Sequence, residues 1–152
     1  MDSPAGAGNG GALLLEYRLL SRIEEIPKLA DAVSAALPDR SDLAFAANLC
    51  LEELITNTIK YGLQGRADHQ IQVRMTRSDE WLEITIRDDA PRFDPFVAVP
   101  EPDLELGVVE RPIGGLGIHL VRRMMDRAHA EWDGAGNVIV LAKRVSGGTA
   151  NA

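Results

Sequence analysis

The chain has 152 residues and a formal net charge of −7, because 23 acidic side chains outnumber 16 lysines and arginines. A sequence-independent nucleic-acid binder needs a basic surface to displace phosphate counterions, and attraction to an anionic membrane also needs positive charge, so this balance argues against both functions. The single cysteine, Cys50, excludes an intrachain disulfide framework and a thiolate metal cluster. No apolar run approaches the roughly 20 residues that a membrane helix requires.

Both ends of the chain lack a hydrophobic period. Residues 1–11 are rich in Gly, Ala and Asn and have neither the basic nor the apolar segment of a signal peptide, so we predict a disordered leader there and a disordered tail at residues 147–152. One domain is then expected over residues 12–146, since single domains usually have roughly 100–200 residues. These features indicate a cytoplasmic protein.

The first half of the chain is predicted to form one strand followed by two helices. Ala12–Leu20 alternates weakly between apolar and polar residues, as a strand does. Ile26–Leu37 has apolar residues at helical spacing, with a proline near the first turn, where it is tolerated. A longer second helix is expected to begin at Ser41 or Asp42, either of which can cap it, and to end near Gly62.

The second half is predicted to contain four strands and a third helix. The strands are Ile71–Met75, Trp81–Ile86, Ala128–Trp132 and Val138–Lys143. The helix covers Gly114–Asp126, and the irregular, proline-rich stretch Asp88–Ile113 before it has the length of a functional lid or a disordered loop. Short hairpins between strands predict a mixed, mostly antiparallel sheet. Three helices covering one face of that sheet would make a two-layer α/β (α+β) sandwich.

Three groups of residues suggest chemistry, and the first lies on the second helix. Glu53 and Asn57 are four residues apart, so both project from one side of the helix, at the edge of its apolar face. An amide oxygen from Asn57 suits a hard cation such as Mg²⁺, and Glu53 could act as a base nearby. The alternative is a pair of surface polar residues on an amphipathic helix.

The second group follows the third predicted strand. Asp88 stands at the strand end, and Ala90 and Pro91 mark a sharp exit from the sheet. The Asp88 carboxylate could accept a hydrogen bond from an exocyclic amine such as that of adenine. The alternative is an Asx-type turn that needs no ligand.

The third group is the glycine-rich turn before the third helix. Gly114, Gly115 and Gly117 let the backbone approach a phosphate closely, and the helix N-terminus favours an anion. The turn is neither the strand-led dinucleotide motif nor a P-loop. Its alternative is a glycine turn without a ligand.

In this order and at these spacings, the three groups together resemble the GHKL (Bergerat-fold) ATPase/kinase superfamily. Within it, the chain is similar to the anti-sigma factor serine/threonine-protein kinases of bacterial partner-switching systems, which have a histidine-kinase-like ATPase domain. Glu53–Asn57 matches the N-box of that family, and Asp88–Asp94 matches its first glycine box. Gly114–Val121 matches the second glycine box, and Gly136–Leu141 resembles the last strand.

The resemblance implies a role for each matching residue. Glu53 would be the general base, Asn57 would bind Mg²⁺, and Asp88 would fix the adenine amine. Asn137 would help to hold the adenine, and Arg111 would reach the γ-phosphate. The complete ATP-binding set implied in this way is Thr56, Asn57, Lys60, Asp88, Ala90, Arg111, Gly114, Gly115, Leu116, Gly117 and Asn137.

The resemblance also implies a function. The chain would use ATP and Mg²⁺ to phosphorylate a serine of a STAS-domain anti-anti-sigma protein, and it would alternately sequester a sigma factor. Phe93–Ile113 would be the ATP lid, and a homodimer would be expected. Ala90 and Arg92 stand where the first glycine box has glycines. The alternative is therefore a non-catalytic anti-sigma or regulator-binding module of the same fold.

Two further alternatives involve other ATPases. Lys60 and Tyr61 resemble sensor histidine kinases, but Glu53 favours a serine acceptor, because a weakly nucleophilic hydroxyl needs a base. ATP-hydrolysing machines of the gyrase or chaperone type carry transducer and dimerisation domains that a chain of 152 residues does not accommodate.

Overall fold

The computed structural model describes residues 11–98 and 115–146. Its helices and strands are β1 Ala12–Leu20, α1 Ile26–Ala36, α2 Ser41–Asn57, β2 Gln70–Arg77, β3 Trp81–Asp88, α3 Pro95–Ala98, α4 Gly115–Met124, β4 Arg127–Trp132 and β5 Asn137–Arg144. A 3₁₀ turn, Ile23–Glu25, precedes α1, and a π-helical turn, Thr58–Gly62, follows α2. The predicted tail, the predicted leader up to residue 10, residues 99–113 of the predicted lid and Gly114 of the predicted third helix lie outside the described residues.

The five strands form one sheet in the order β1-β2-β3-β5-β4, and all four neighbouring pairs are antiparallel. At its centre, Ile84 of β3 pairs with Met75 of β2 and with Leu141 of β5. At one end of the sheet, Asp88 pairs with Asn137. The mostly antiparallel sheet expected from the sequence is confirmed.

Alternation along the strands decides which face of the sheet packs against the helices. On β3, Ile84 and Ile86 are buried, whereas Thr85 and Arg87 lie on the other face and are more exposed. The buried face shares one core with the helices, because burying apolar surface is the main stabilising contribution. The helical members of that core include Leu29, Val33, Leu43, Ala47, Cys50, Leu51, Leu54, Ile55, Ile118 and Val121. The predicted two-layer α/β sandwich is confirmed.

The start of α2 differs in detail from the expectation. The helix begins at Ser41, but neither Ser41 nor Asp42 caps it, since the N-cap position is Arg40 and no side-chain cap bond forms. Asp42 instead accepts hydrogen bonds of 2.9 and 2.7 Å from the Arg40 guanidinium. The carboxylate is therefore used in an ion pair at the helix N-terminus, where negative charge is also favourable.

The end of α2 also differs. The α-helical part stops at Asn57, and the chain continues through the π-helical turn, in which the Leu63 N–H donates to the Thr58 carbonyl at 2.7 Å. Turns of this kind widen the helix and are frequent at functional sites. This turn packs Gly62 against the loop that follows β3: a Cβ on Gly62 would lie 3.4 Å from Phe93 Cδ2.

No helix in the described part of the chain is long and apolar enough to cross a membrane. The last turns of α2, the end of β3, the start of β5 and the first turn of α4 all meet at one end of the sandwich. The candidate site lies there.

Candidate functional site

The last turns of α2 present the first two site residues. Leu54 and Ile55 are fully buried in the core and fix the helix, so Glu53 and Asn57 project from its edge as the spacing predicts. Asn57 is only 3% exposed, and its Nδ2 atom has no hydrogen-bond partner among the described residues. Nδ2 is a hydrogen-bond donor, and a buried, unpaired donor is costly, so this atom could bind an acceptor oxygen of a ligand, whereas a cation would be held by the Oδ1 atom.

The Glu53 carboxyl lies directly against the backbone of α4 at Gly117. A Cβ atom on Gly117 would lie 2.6 Å from Glu53 Cδ. Burial raises the pKa of Glu53 above its ordinary value, the charge of Glu52 raises it further, and Lys60 lowers it. A carboxylate with a raised pKa is a better proton acceptor, which suits a general base.

Asp88 closes β3 with a carboxylate that is 5% exposed. Its Oδ1 atom accepts the Ala90 N–H at 2.9 Å and the Asn137 Nδ2 amide at 2.9 Å. Burial raises the pKa of Asp88, and these two hydrogen bonds act in the opposite direction. Both bonds end on Oδ1, so Oδ2 is the oxygen that can accept a ligand amine.

Asn137, the first residue of β5, holds the loop that follows β3. Its Nδ2 also approaches the carbonyls of Ala90 and Pro91 at 3.3 and 3.1 Å, and its Oδ1 accepts the Phe93 N–H at 2.8 Å. Both ends of the amide are therefore occupied by protein groups. The structure places Asn137 beside Asp88, as a support for the loop that presents it.

Two residues of this region escaped the sequence analysis as site residues. Gly136 approaches Asp88 so closely that a Cβ there would overlap the Asp88 carbonyl oxygen and lie 3.1 Å from its carbon. His69 Nδ1 lies 2.7 Å from Asp89 Oδ1, at the outer side of the same loop. The only sequence signal for Gly136 is its position directly before Asn137, and no sequence pattern indicates His69.

The predicted ATP-binding set also includes Ala90, Lys60 and Thr56. Ala90 is buried at 1% exposure in the loop, and Lys60 is exposed on the π-helical turn. Thr56 lines a groove between α1 and α2 together with Glu52 and Phe45, on a different side of α2 from Glu53. The structure does not bring Thr56 together with the rest of the set.

The helix α4 supplies the third part of the site. Gly115 and Leu116 are its first two residues, and Gly117 is buried in its first turn. The N-terminus of such a helix attracts anions through its unpaired N–H groups and its dipole. Arg111 and Gly114, which the resemblance also implicates, lie outside the described residues.

The opposite end of α4 is tied to its surroundings. Lys143 donates a hydrogen bond of 2.9 Å to the Met124 carbonyl at the helix C-terminus. Arg122 donates to the Phe96 carbonyl at 2.8 Å, and its guanidinium lies 5.1 Å from the centre of the Phe96 ring. These contacts join α4 to β5 and to α3, the described start of the predicted lid.

The donor set of the site suits Mg²⁺ carried by phosphates. Among the described residues, no group of three or more His, Cys, Asp or Glu side chains could hold a metal ion. Mg²⁺ uses few protein oxygens and keeps waters or substrate phosphates as its other ligands, so the Asn57 Oδ1 atom would be a sufficient protein ligand if phosphates occupied the N-terminus of α4. The residues present therefore fit this cation.

Comparisons with known proteins identify the family of this domain. A sequence model of the histidine kinase-like ATPase domain matches residues 19–143. The chain is similar to serine-protein kinase RsbW of Listeria monocytogenes serotype 4a, with 28% identity over 105 residues, and to the same-named protein of Listeria innocua serovar 6a, with 28% identity over 105 residues. Each alignment covers 64% of this chain and 64% of the relative, so the chain spans less than two thirds of the length of these relatives.

Proposed function

The chain belongs to the histidine kinase-like ATPase domain family, and from this premise we propose that it is an ATP-dependent protein serine kinase and anti-sigma factor. Its substrate would be a serine of a STAS-domain anti-anti-sigma protein, and its second partner would be a sigma factor. The observation that carries the proposal is the Glu53 carboxyl beside the N-terminus of α4, four residues before the buried Asn57. In this arrangement, Glu53 would act as a base next to a helix end that can bind phosphate.

The transfer would proceed in one balanced step. Glu53 would take the proton of the serine hydroxyl while the serine oxygen forms a bond to the γ-phosphorus of ATP. The bond between that phosphorus and the β–γ bridging oxygen would break, and ADP would leave. A serine hydroxyl is weakly nucleophilic, so a positioned base accelerates this step. The raised pKa of Glu53, caused first by its burial, supports the assignment.

Asp88 and α4 would bind the nucleotide at its two ends. The Oδ2 atom of Asp88 would accept a hydrogen bond from the adenine amine, while Ala90 and Asn137 hold Oδ1. The N–H groups of the first turn of α4 would bind phosphate oxygens. Asn57 would hold Mg²⁺, which when bound neutralises charge that develops on the phosphates.

The alternative function is a binding module without phosphoryl transfer, and Ala90 and Arg92 favour it because they replace glycines of the family motif. For Ala90, the local backbone conformation weakens the argument that a glycine is required. Gln64 is the one non-glycine residue of the described ranges with a positive φ, so Ala90 does not need the conformation that favours glycine. Arg92 is exposed, so its side chain does not fill the loop.

The experiment that tests the function is phosphorylation of a STAS-domain protein from the same organism with labelled ATP and Mg²⁺. The kinase proposal predicts label on the partner with the wild-type chain and none with Glu53→Ala, although both bind ATP. Glu24→Ala is the matched control, because Glu24 is exposed in the 3₁₀ turn before α1 and is not among the charges that shift the pKa of Glu53, and it should retain labelling. Binding of the partner without any label would support the binding module instead.

A further inference from the structure

We propose that Gly117 is a positioning residue for Glu53: the missing side chain at residue 117 allows the Glu53 carboxyl group to lie against the first turn of α4. The inference rests on the function proposed above, in which Glu53 is the base. It gives Gly117 a role different from the phosphate contact that the family resemblance implies for the glycine-rich turn.

The geometry of Gly117 carries the inference. A Cβ atom built on this glycine would overlap Glu53 Oε1 and would lie 2.6 Å from Cδ and 3.1 Å from Cγ. The three nearest atoms thus all belong to one side chain. Real Cβ atoms essentially never approach other atoms within 3.0 Å, so any L-residue other than glycine at this position would exclude the carboxyl from its present place.

Among the described residues, the Glu53 carboxyl is held in place by packing. The influences on its protonation there are burial and the charges of Glu52 and Lys60, and no hydrogen bond is among them. The backbone of α2 is fixed next to it by Leu54, which is fully buried. The carboxyl therefore occupies a place bounded by α2 on one side and the Gly117 backbone on the other.

The direction of the contact separates this role from phosphate binding. The side of the Gly117 Cα that would carry a Cβ faces Glu53. Phosphate binding at a helix N-terminus uses backbone N–H groups, which an alanine retains. Gly117→Ala should consequently displace the base and leave the phosphate-binding groups in place. Alanine also favours the helical conformation more than glycine does, so α4 should still form.

The first test is a titration of Glu53 by nuclear magnetic resonance, with ¹³C-labelled glutamate and Glu53→Gln to assign the signal. In the wild-type chain, the half-buried carboxyl should titrate above the ordinary range for glutamate. In Gly117→Ala, the carboxyl should move toward solvent and its pKa should fall toward the ordinary value. An unchanged pKa in Gly117→Ala would overturn the proposal. This test uses neither ATP nor a partner, so it decides the role of Gly117 even if the chain transfers no phosphate.

The second test compares four proteins: wild type, Gly117→Ala, Glu53→Ala and the double variant. Positioned bases contribute roughly 100-fold or more, so Gly117→Ala should lower the transfer rate at saturating ATP by about that factor and leave the ATP dissociation constant unchanged. In the Glu53→Ala background, adding Gly117→Ala should cause no further loss of transfer. Weaker ATP binding on adding Gly117→Ala in both backgrounds would assign the glycine to the phosphates and overturn the proposal.

Thermal unfolding of the same proteins distinguishes displacement of Glu53 from a general loss of stability. The far end of the Glu53 side chain can swing away, so Gly117→Ala should cost little stability. Any loss should vanish in the double variant, because the Glu53→Ala substitution removes the side chain that the new methyl group would meet. A loss that persists in the double variant would contradict the proposed contact. No labelling by the wild-type chain, together with the expected change in titration, would reject the kinase function and retain the contact.

Discussion

At the scale of single residues, one oxygen of the Asp88 carboxylate holds the fold and the other is available to the proposed ligand. The Ala90 N–H and the Asn137 amide both donate to Oδ1. Among the described residues, no hydrogen bond ends on Oδ2. The turn and the adenine contact, which the sequence presents as alternatives, are therefore compatible: one oxygen makes the turn and the other can accept the amine.

Asp88→Asn tests this division. Asparagine keeps one oxygen for Ala90 and Asn137 but replaces Oδ2 with an amide that donates, so it would meet the adenine amine with a second donor. We expect ATP affinity to fall about 30-fold, from a loss of roughly 2 kcal/mol for a hydrogen bond to a charged group. Isothermal titration calorimetry measures the change, and an unchanged affinity would remove Asp88 from the site.

The Asp88→Asn variant should be at least as stable as the wild type, although it should bind ATP more weakly. Burial raises the pKa of Asp88, so the folded state binds its proton more tightly than the unfolded state does. This group consequently lowers stability as the pH rises from the ordinary pKa through the raised one. Asp88→Asn removes that effect, and its melting temperature at neutral pH should equal or exceed that of the wild type.

Asn57→Ala tests the metal ligand. The Asn57 amide is buried and its Nδ2 is unpaired among the described residues, so its loss should cost little stability and should weaken binding of ATP with Mg²⁺. Asn48→Ala is the control on the same helix, because Asn48 donates to the Ala30 carbonyl at 3.2 Å, away from Asn57. Equal Mg²⁺-dependent affinities for the two variants would contradict the assignment.

At the scale of elements, the site depends on the junction between β3 and β5. Asp88 pairs with Asn137, and Gly136 lies against the Asp88 carbonyl. The atom approached is backbone, which cannot move aside as a flexible side chain can. The close approach of these two strands therefore fixes the position of the Asp88 carboxylate.

Gly136→Ala should separate the two strands locally. Forcing a methyl group into this contact should cost about 1–3 kcal/mol of unfolding free energy, as overpacking usually does, and should weaken ATP binding because Asp88 moves. Urea unfolding and calorimetry measure the two effects.

Gly134→Ala is the control in the same turn. Gly134 has a φ of +95° and nothing within 4 Å of its Cβ position, so alanine there should cost stability through backbone strain alone. Its ATP affinity should stay that of the wild type. If both variants lose affinity equally, loss of stability and not the position of Asp88 would explain the result.

Periodicity predicts the elements better than their ends. The strand predicted at Ile71–Met75 extends to Gln70–Arg77, because Gln70 pairs with Leu20 and Arg77 with Leu82 beyond the apolar pattern. Hydrogen bonds between strands do not require an apolar side chain, so alternation underestimates strand length. The π-helical turn after Asn57 likewise has no signature in the apolar spacing.

The site shows the same limit. The family resemblance predicts that Glu53, Asn57 and Asp88 contribute to one site, and the structure brings the elements that carry them to one end of the sandwich. The contact of Glu53 with Gly117, 64 positions later in the chain, arises from packing between helices and cannot be derived from either motif. Thr56 shows the converse, since its place next to Asn57 in sequence puts it on another side of α2.

At the scale of the whole molecule, an acidic chain can still bind a polyanion. The net charge of −7 argues against nucleic acid, whereas a single ATP with Mg²⁺ needs only local attraction. In the proposed function, the first turn of α4 and the amide of Asn57 would provide such attraction through oriented dipoles. Net charge therefore predicts weak association with polyanionic surfaces, but it does not predict which small ligand a local site binds.

The chemical identity of the phosphorylated residue distinguishes a serine kinase from a histidine kinase and from a binding module. After reaction of the chain with ATP, Mg²⁺ and a STAS-domain partner, the acid stability of the label and mass spectrometry of the partner locate the phosphate. For a serine kinase with Glu53 as its base, we expect an acid-stable phosphate on a serine of the partner, formed by the wild-type chain and not by Glu53→Ala. An acid-labile phosphate on a histidine, or equal labelling by Glu53→Ala, would contradict it.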